Sequence, residues 1–272
     1  MTSRAIAAPP AHPGQAWARK ARALLELRAP LEFGLMLASL PILRRAPRGD
    51  GHPVLLLPGF GAGDLSLEPL RSFLKERGYE AETWGLGTNI GFQRRYNKVI
   101  EQKVRYLHHC HGRKVSVVGF SLGGVFAFYA AHAAPECVRL AITLGSPLRL
   151  DPDRPPAPAV RALYRALSKP YGPAIHQAHS RTRAMRTPPP VPSTCIYSQG
   201  DGIVPPHQAT LDGDPKNHEN LCVPGSHTGL AMNPAAMWIV ADRLAQREGT
   251  WKPFKAPELI QRLNRGSGGA AP

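Results

Sequence analysis

Apolar and polar positions along the chain alternate between two kinds of run. Pro53-Val-Leu-Leu-Leu57 is continuously apolar and bounded by proline and glycine, the pattern of a strand buried on both faces of a sheet. Lys114-Val-Ser-Val-Val118, Leu140 to Leu144 and Thr194-Cys-Ile-Tyr-Ser198 read as further strands, with shorter signals at Glu80 to Trp84 and Leu221 to Val223. Between them lie helical stretches at about Glu68 to Arg77, Arg95 to His109, Leu122 to Ala134 and Pro234 to Gln246. This alternation predicts an α/β fold with a mostly parallel sheet and helices on both faces. Upstream, Trp17 to Arg28 predicts a helix ending before Pro30, and Leu31 to Leu40 a second, short one.

The alternation breaks at Pro147. Residues 149–190 are proline-rich, with helical signal only around Val160 to Ser168, and predict an insertion over the sheet. The expected organisation is a basic, partly helical extension over 1–50, an α/β domain over 51–248 carrying the insertion, and a polar, Gly-rich tail over 249–272.

Composition narrows the picture. With 272 residues, 43% of them hydrophobic, the chain can bury one sizeable core, and its 26 glycines and 29 prolines follow no fibrous period. The four cysteines form no Cys-x-x-Cys pair, so neither a zinc site nor redox chemistry is indicated. Cys195 and Cys222 fall in strand-like runs, where a thiol packs as a small core side chain. Phe33 to Leu43 is too short to span a bilayer, is interrupted by Pro41 and lacks signal-peptide flanks, so an uncleaved cytoplasmic protein is expected.

The formal charge of +15 raises the question of an anionic partner. The extension carries +5, the insertion +6 and residues 243–272 +4, whereas residues 191–242 carry −4. The excess is arginine-heavy and lacks the interleaved aromatics of a single-strand groove, which disfavours nucleic acid. It reads as a solvated surface, with peripheral contact to an anionic membrane as the functional option.

Chemistry concentrates downstream of the strands. Gly119-Phe-Ser121-Leu-Gly123 lies between a strand and a helix, the context in which a serine is held on a sharp turn above the sheet. A serine hydroxyl needs a histidine base, and the base needs a carboxylate to fix its tautomer. Asp201 follows the strand at 194–198 in Ser-Gln-Gly-Asp-Gly; Asp212 and Asp214 are alternatives, and Glu219 a weaker one. His227, in Pro224-Gly-Ser-His-Thr-Gly229 after the last strand, is preferred over His176, His179, His207 and His218, none of which follows a strand end in a small-residue loop. The oxyanion donors expected are the backbone N–H groups of Leu122 and, from the glycine-flanked loop after the first buried strand, of Phe60.

Taken together, Leu-Leu-Leu-Pro-Gly-Phe-Gly, Gly-Phe-Ser-Leu-Gly-Gly, Thr-Leu-Gly-Ser-Pro, Asp-Gly-Ile-Val-Pro and Gly-Ser-His make the chain resemble the α/β-hydrolase superfamily, in its lipase and carboxylesterase branch, from Pro53 to about Gln246. The resemblance implies an α/β-hydrolase fold with Ser121 as nucleophile, His227 as base, Asp201 as its partner and no cofactor. It departs from many lipases in having Pro58-Gly59 where those carry His-Gly. It also puts 149–190 where such folds often carry a lid over the mouth of the site, a packed surface excursion being the alternative. Leu163, Tyr164, Leu167, Tyr171 and Ile175 would then line an acyl pocket, with Phe92, Leu148 and Leu150 in its wall. No metal is expected; Cys110 with His108, His109 and His111 reads as a helix end.

The leading expectation is a serine hydrolase cleaving apolar or lipid-like carboxylic esters through an acyl-enzyme. The alternatives are an acyltransferase on the same triad, cofactor-free haloperoxidase-like chemistry, and a basic membrane or nucleic-acid binding module in which the triad is vestigial. Haloalkane dehalogenation would want Asp at position 121.

Overall fold

A computed structural model describes residues 26–91, 93–149 and 187–256. Six parallel strands form one sheet in the order β2-β1-β3-β4-β5-β6: β1 Pro53–Leu57, β2 Glu80–Thr83, β3 Val115–Phe120, β4 Val138–Leu144, β5 Ser193–Tyr197 and β6 His218–Cys222. Every ladder is parallel. Chain direction across the sheet reverses at β1, which pairs with β2 on one side and β3 on the other. The carboxyl ends of β1 and β3 therefore open into the crevice where ligands of such sheets bind.

Helices α1 Ala29–Leu43, α2 Glu68–Glu76, α3 Arg94–His111, α4 Leu122–Ala133, α5 Pro206–Ala209 and α6 Pro234–Ala245 complete the described residues, apart from short 3₁₀ turns. The strand period of two sorts side chains into two cores. Val54 and Leu56 of β1, with Leu140, Ile142 and Leu144 of β4, join Leu70 and Phe73 of α2 and Met237 and Val240 of α6 on one face. Leu55 and Leu57, with Val115 and Val117 of β3, meet Ile100 and Val104 of α3 and Phe126 of α4 on the other. All five residues of β1 are buried, which is why its sequence does not alternate.

The central strands and four helices fall within a residue or two of their expected positions. The edges differ. The last strand is His218–Cys222, earlier and more polar than the expected 221–223, because an edge strand has one side open to water; for the same reason Cys222 is exposed while Cys195 is fully buried. The helix expected at Leu31 to Leu40 runs from Ala29 to Leu43. Pro30 sits in its first turn, where no N–H is needed, and Pro41 is carried in the last turn. Of the helix expected over 17–28 only Glu26–Arg28 is described, as a 3₁₀ turn leading into α1. The segment read as an extension contributes Met36, Leu43 and Ala46 to the core.

Leu163, Tyr164, Leu167, Tyr171, Ile175, Phe92 and Leu150 lie outside the described residues, as does the insertion between 150 and 186. His108, His109, Cys110 and His111 form the last turn of α3, closed by Gly112 in the left-handed conformation. No helix among the described residues is long and apolar enough to cross a membrane.

Candidate active site

Ser121 stands between β3 and α4 with φ 51° and ψ −123°, and is the one non-glycine residue with positive φ among those described. An L-residue adopts this conformation only when its surroundings hold it there. They do. The Ser121 N–H donates to the Leu144 carbonyl at 2.8 Å, and its own carbonyl accepts from Gly124 N–H at 3.0 Å. A Cβ on Gly119 would come within 2.3 Å of the Gly123 and Gly124 backbone, and one on Gly123 within 2.0 Å of the Leu57 carbonyl oxygen. The glycines flanking Ser121 thus let β3, α4 and β1 crowd together at a turn that lifts the hydroxyl clear of the sheet.

The loops after β5 and β6 bring the other two groups to it. His227 Nε2 lies 3.0 Å from Ser121 Oγ, and His227 Nδ1 lies 2.6 Å from Asp201 Oδ2. An ionised carboxylate only accepts, so Nδ1 carries the proton, and Nε2 is left with the lone pair that faces the serine O–H. Asp201 is held in turn: its Oδ1 accepts from the N–H groups of Ile203 at 2.8 Å and Val204 at 2.7 Å. Both Asp201 and His227 are buried, and the imidazole packs on Phe120 with ring centroids 5.1 Å apart. Beneath their bond runs Gly145 (φ 58°), where a Cβ would come to 3.1 Å from both Asp201 Oδ2 and His227 Nδ1.

The loop after β1 passes close to the serine. A Cβ on Gly59 would lie 3.1 Å from Ser121 Cβ. Asn89 secures this loop, donating from its side chain to the Pro58 carbonyl at 2.8 Å and from its backbone to Ala62. Phe60 follows Gly59 directly, and Leu122 opens α4, whose N-terminus favours negative charge. Such an arrangement can move a proton from Ser121 to His227 and offer backbone donors to an oxygen that becomes negative beside it.

The sequence model of the alpha/beta hydrolase family matches residues 54–269, most of the chain. The chain belongs to this family. No curated protein sequence matches it. Among solved structures similar to this alpha/beta hydrolase is lipase B of Aspergillus fumigatus, with TM-score 0.56 and 18% identity over 73% of this chain and 53% of that one. Another is MGS-MChE2, an alpha/beta hydrolase enzyme from a metagenome of lagoon sediments at Mar Chica, Morocco, with TM-score 0.51 and 18% identity, covering 72% and 90%. A third is the monoacylglycerol lipase of Paleococcus ferrophilus, with TM-score 0.51 and 15% identity, covering 71% and 96%. At these identities the likeness is one of fold.

Of the residues expected at the site, Ser121, Asp201 and His227 converge; Leu122 follows Ser121 directly, and Phe60 follows Gly59, which passes close to Ser121. Asp212 instead pairs with Arg149, Asp214 caps its own turn, and Glu219 binds Arg243 and Thr194. Leu148 is packed in the core on the α4 face, its N–H bonded to the Gln208 carbonyl.

Two groups at this hydrolase site were not expected from the sequence. Glu26 and Glu32, in the segment before the family match, reach the loop that bears His227. A lone glutamate in the apolar run of α1 is the one local hint that Glu32 is buried against partners.

Proposed function

We propose that this alpha/beta hydrolase cleaves carboxylic esters, apolar or lipid-like, through an acyl-enzyme on Ser121. The observation that carries the reading is the unbroken relay from Asp201 through His227 to a serine in strained backbone geometry. His227 Nε2 takes the proton as Ser121 Oγ attacks the ester carbonyl, and the imidazolium is stabilised by Asp201. The tetrahedral oxyanion accepts from the Phe60 and Leu122 N–H groups, each donor being worth roughly 3 kcal/mol in reactions of this kind. The intermediate collapses with the proton returned from His227 to the leaving alcohol. Water, deprotonated by the same nitrogen, then releases the acid.

Ser121→Ala is expected to abolish hydrolysis of short and medium p-nitrophenyl esters and covalent labelling by a fluorophosphonate, with the melting transition kept. Retained hydrolysis would overturn the reading; salt-dependent anion binding without labelling would favour a binding module. Product analysis with an added alcohol or thiol separates a hydrolase from an acyltransferase. An apolar substrate or interface is supported by Leu31, Leu35 and Leu37, which α1 turns outward, with Arg44, Arg45 and Arg48 exposed beyond its end. Vesicle binding that ignores anionic lipid would remove the membrane option.

A further inference from the structure

The loop that presents His227 does not satisfy its own backbone. Glu26 Oε1 accepts the His227 N–H at 2.9 Å and, from the other loop, the Gly202 N–H at 2.9 Å. Its Oε2 accepts the Thr228 N–H at 2.9 Å and the Thr228 hydroxyl at 2.8 Å. Six residues on, Glu32 Oε1 accepts the Ser226 N–H at 2.7 Å and Oε2 accepts the Ser226 hydroxyl, which in turn accepts the Gly229 N–H at 3.0 Å. Three successive amides, 226 to 228, therefore end on two carboxylates that are 194 to 202 residues away in the chain.

Fit around these carboxylates is close. A Cβ on Gly229 would come to 1.6 Å from Glu32 Oε2, and one on Gly200 to 2.5 Å from an Arg28 guanidinium nitrogen. Arg28 Nε stands 3.1 Å from Glu32 Oε1, balancing one of the two charges. Burial raises the pKa of Glu26, but the hydrogen bonds from Thr228, His227 and Gly202 outweigh it and hold the group below its ordinary value. It is ionised at neutral pH and accepts at both oxygens.

We infer that Glu26, with Glu32 beside it, is a positioning residue of the active site: it ties the Asp201 loop to the His227 loop and so sets the separation of acid and base. The argument is geometric. Gly202 is the neighbour of Asp201, and one oxygen of Glu26 spans from its amide to that of His227 itself. The Ser198 hydroxyl also ties the two loops, donating to the Gly225 carbonyl at 2.6 Å, but it is Glu26 that bonds the amide next to Asp201 and the amide of His227 itself, and a base displaced by an ångström loses orders of magnitude in rate. The segment before β1 is thus part of the catalytic apparatus rather than an appendage.

The inference rests on the proposed ester hydrolysis, and its test is chosen to fail separately. In the full chain, Glu26→Ala is expected to lower kcat for a p-nitrophenyl ester at least tenfold, with KM within about twofold, well below the melting temperature. Glu26→Gln keeps one oxygen for Gly202 and His227 but turns an amide donor on Thr228, and is expected to recover part of that loss. The rate of fluorophosphonate labelling at Ser121 should fall in the same order. Glu101→Gln, which removes only an ion pair with Arg105 along α3, is the control expected to match wild type. Wild-type kcat in both Glu26 variants, with only a lowered melting temperature, would overturn the inference and leave a structural strap. If Glu26→Ala does not fold, the Gln variant and Glu32→Gln carry the same comparison. Absence of Ser121-dependent labelling in the wild type would instead defeat the ester-hydrolase reading itself.

Discussion

Asp201 uses its two oxygens for different tasks, and this decides what an amide would do in its place. Oδ1 accepts two backbone N–H groups, so an asparagine at 201 must set its carbonyl oxygen there and its NH₂ where Oδ2 now faces His227. The amide then donates to Nδ1, the ring proton moves to Nε2, and Ser121 faces a donor instead of a base. Asp201→Asn is therefore expected to lower kcat about 10⁴-fold at neutral pH with little change in melting temperature, checked by ester kinetics and thermal denaturation. Asp201→Ala should also lose stability, because the Ile203 and Val204 amides lose their acceptor. A comparable stability loss in both variants, or an active Asp201→Asn, would contradict this account of the tautomer.

At the scale of elements, two glycines report opposite constraints. Gly123 sits where α4 is pressed on β1, and a methyl group there would meet Leu57 backbone at 2.0 Å, with no flexible side chain to give way. Gly34 lies within α1 with nothing inside 4 Å. Gly123→Ala is expected to yield little folded protein, whereas Gly34→Ala should be stabilising by up to ~1 kcal/mol through helix propensity, a contrast that urea denaturation reads directly. The same distinction explains what could be read in the sequence. The strand, elbow and helix around Ser121 lie within twenty residues, and Asp201 and His227 each follow a strand in a loop of small residues, so local chemistry announced them. β6 begins before its apolar signal at 221–223 because Asn220 and Cys222 face water, and α1 outruns its sequence signal because prolines in first and last turns look like breaks. Glu26 and Glu32 gave no functional sign, since their partners are backbone amides of a distant loop and backbone amides have no residue signature.

Across the whole molecule, Ser116 within β3 and Ser121 just past its end each bond a histidine that in turn bonds an aspartate, one set at each end of the strand. At the amino end, Ser116 Oγ lies 2.7 Å from His52 Nε2, and His52 Nδ1 lies 2.6 Å from Asp50 Oδ1. Ser116 and His52 have no exposed surface, and Tyr79 packs edge-on against the imidazole, so no substrate reaches this set. It holds β1 to β3 and anchors Arg139 and Arg113 on Asp50. Burial pushes the His52 pKa down, and Arg139 adds to this against the opposing pull of Asp50, leaving it at about 4. The unfolded chain binds a proton at this residue near pH 6.5 while the folded chain refuses it until about pH 4. Stability from His52 is thus complete above pH 6.5 and is lost as pH falls towards 4, to the extent of roughly 3 kcal/mol by linkage. His132 and His218, also shifted down by burial, act in the same direction, and Asp50, held below its ordinary value, adds its loss only at lower pH. Urea midpoints are expected to be level from pH 8 to 7 and to fall steadily from 6.5 to 4.5. In His52→Gln, which cannot titrate, the fall over that window should be shallower than in wild type from a lower starting point. Equal slopes in the two proteins would show that His52 is not the group that makes this fold sensitive to acid.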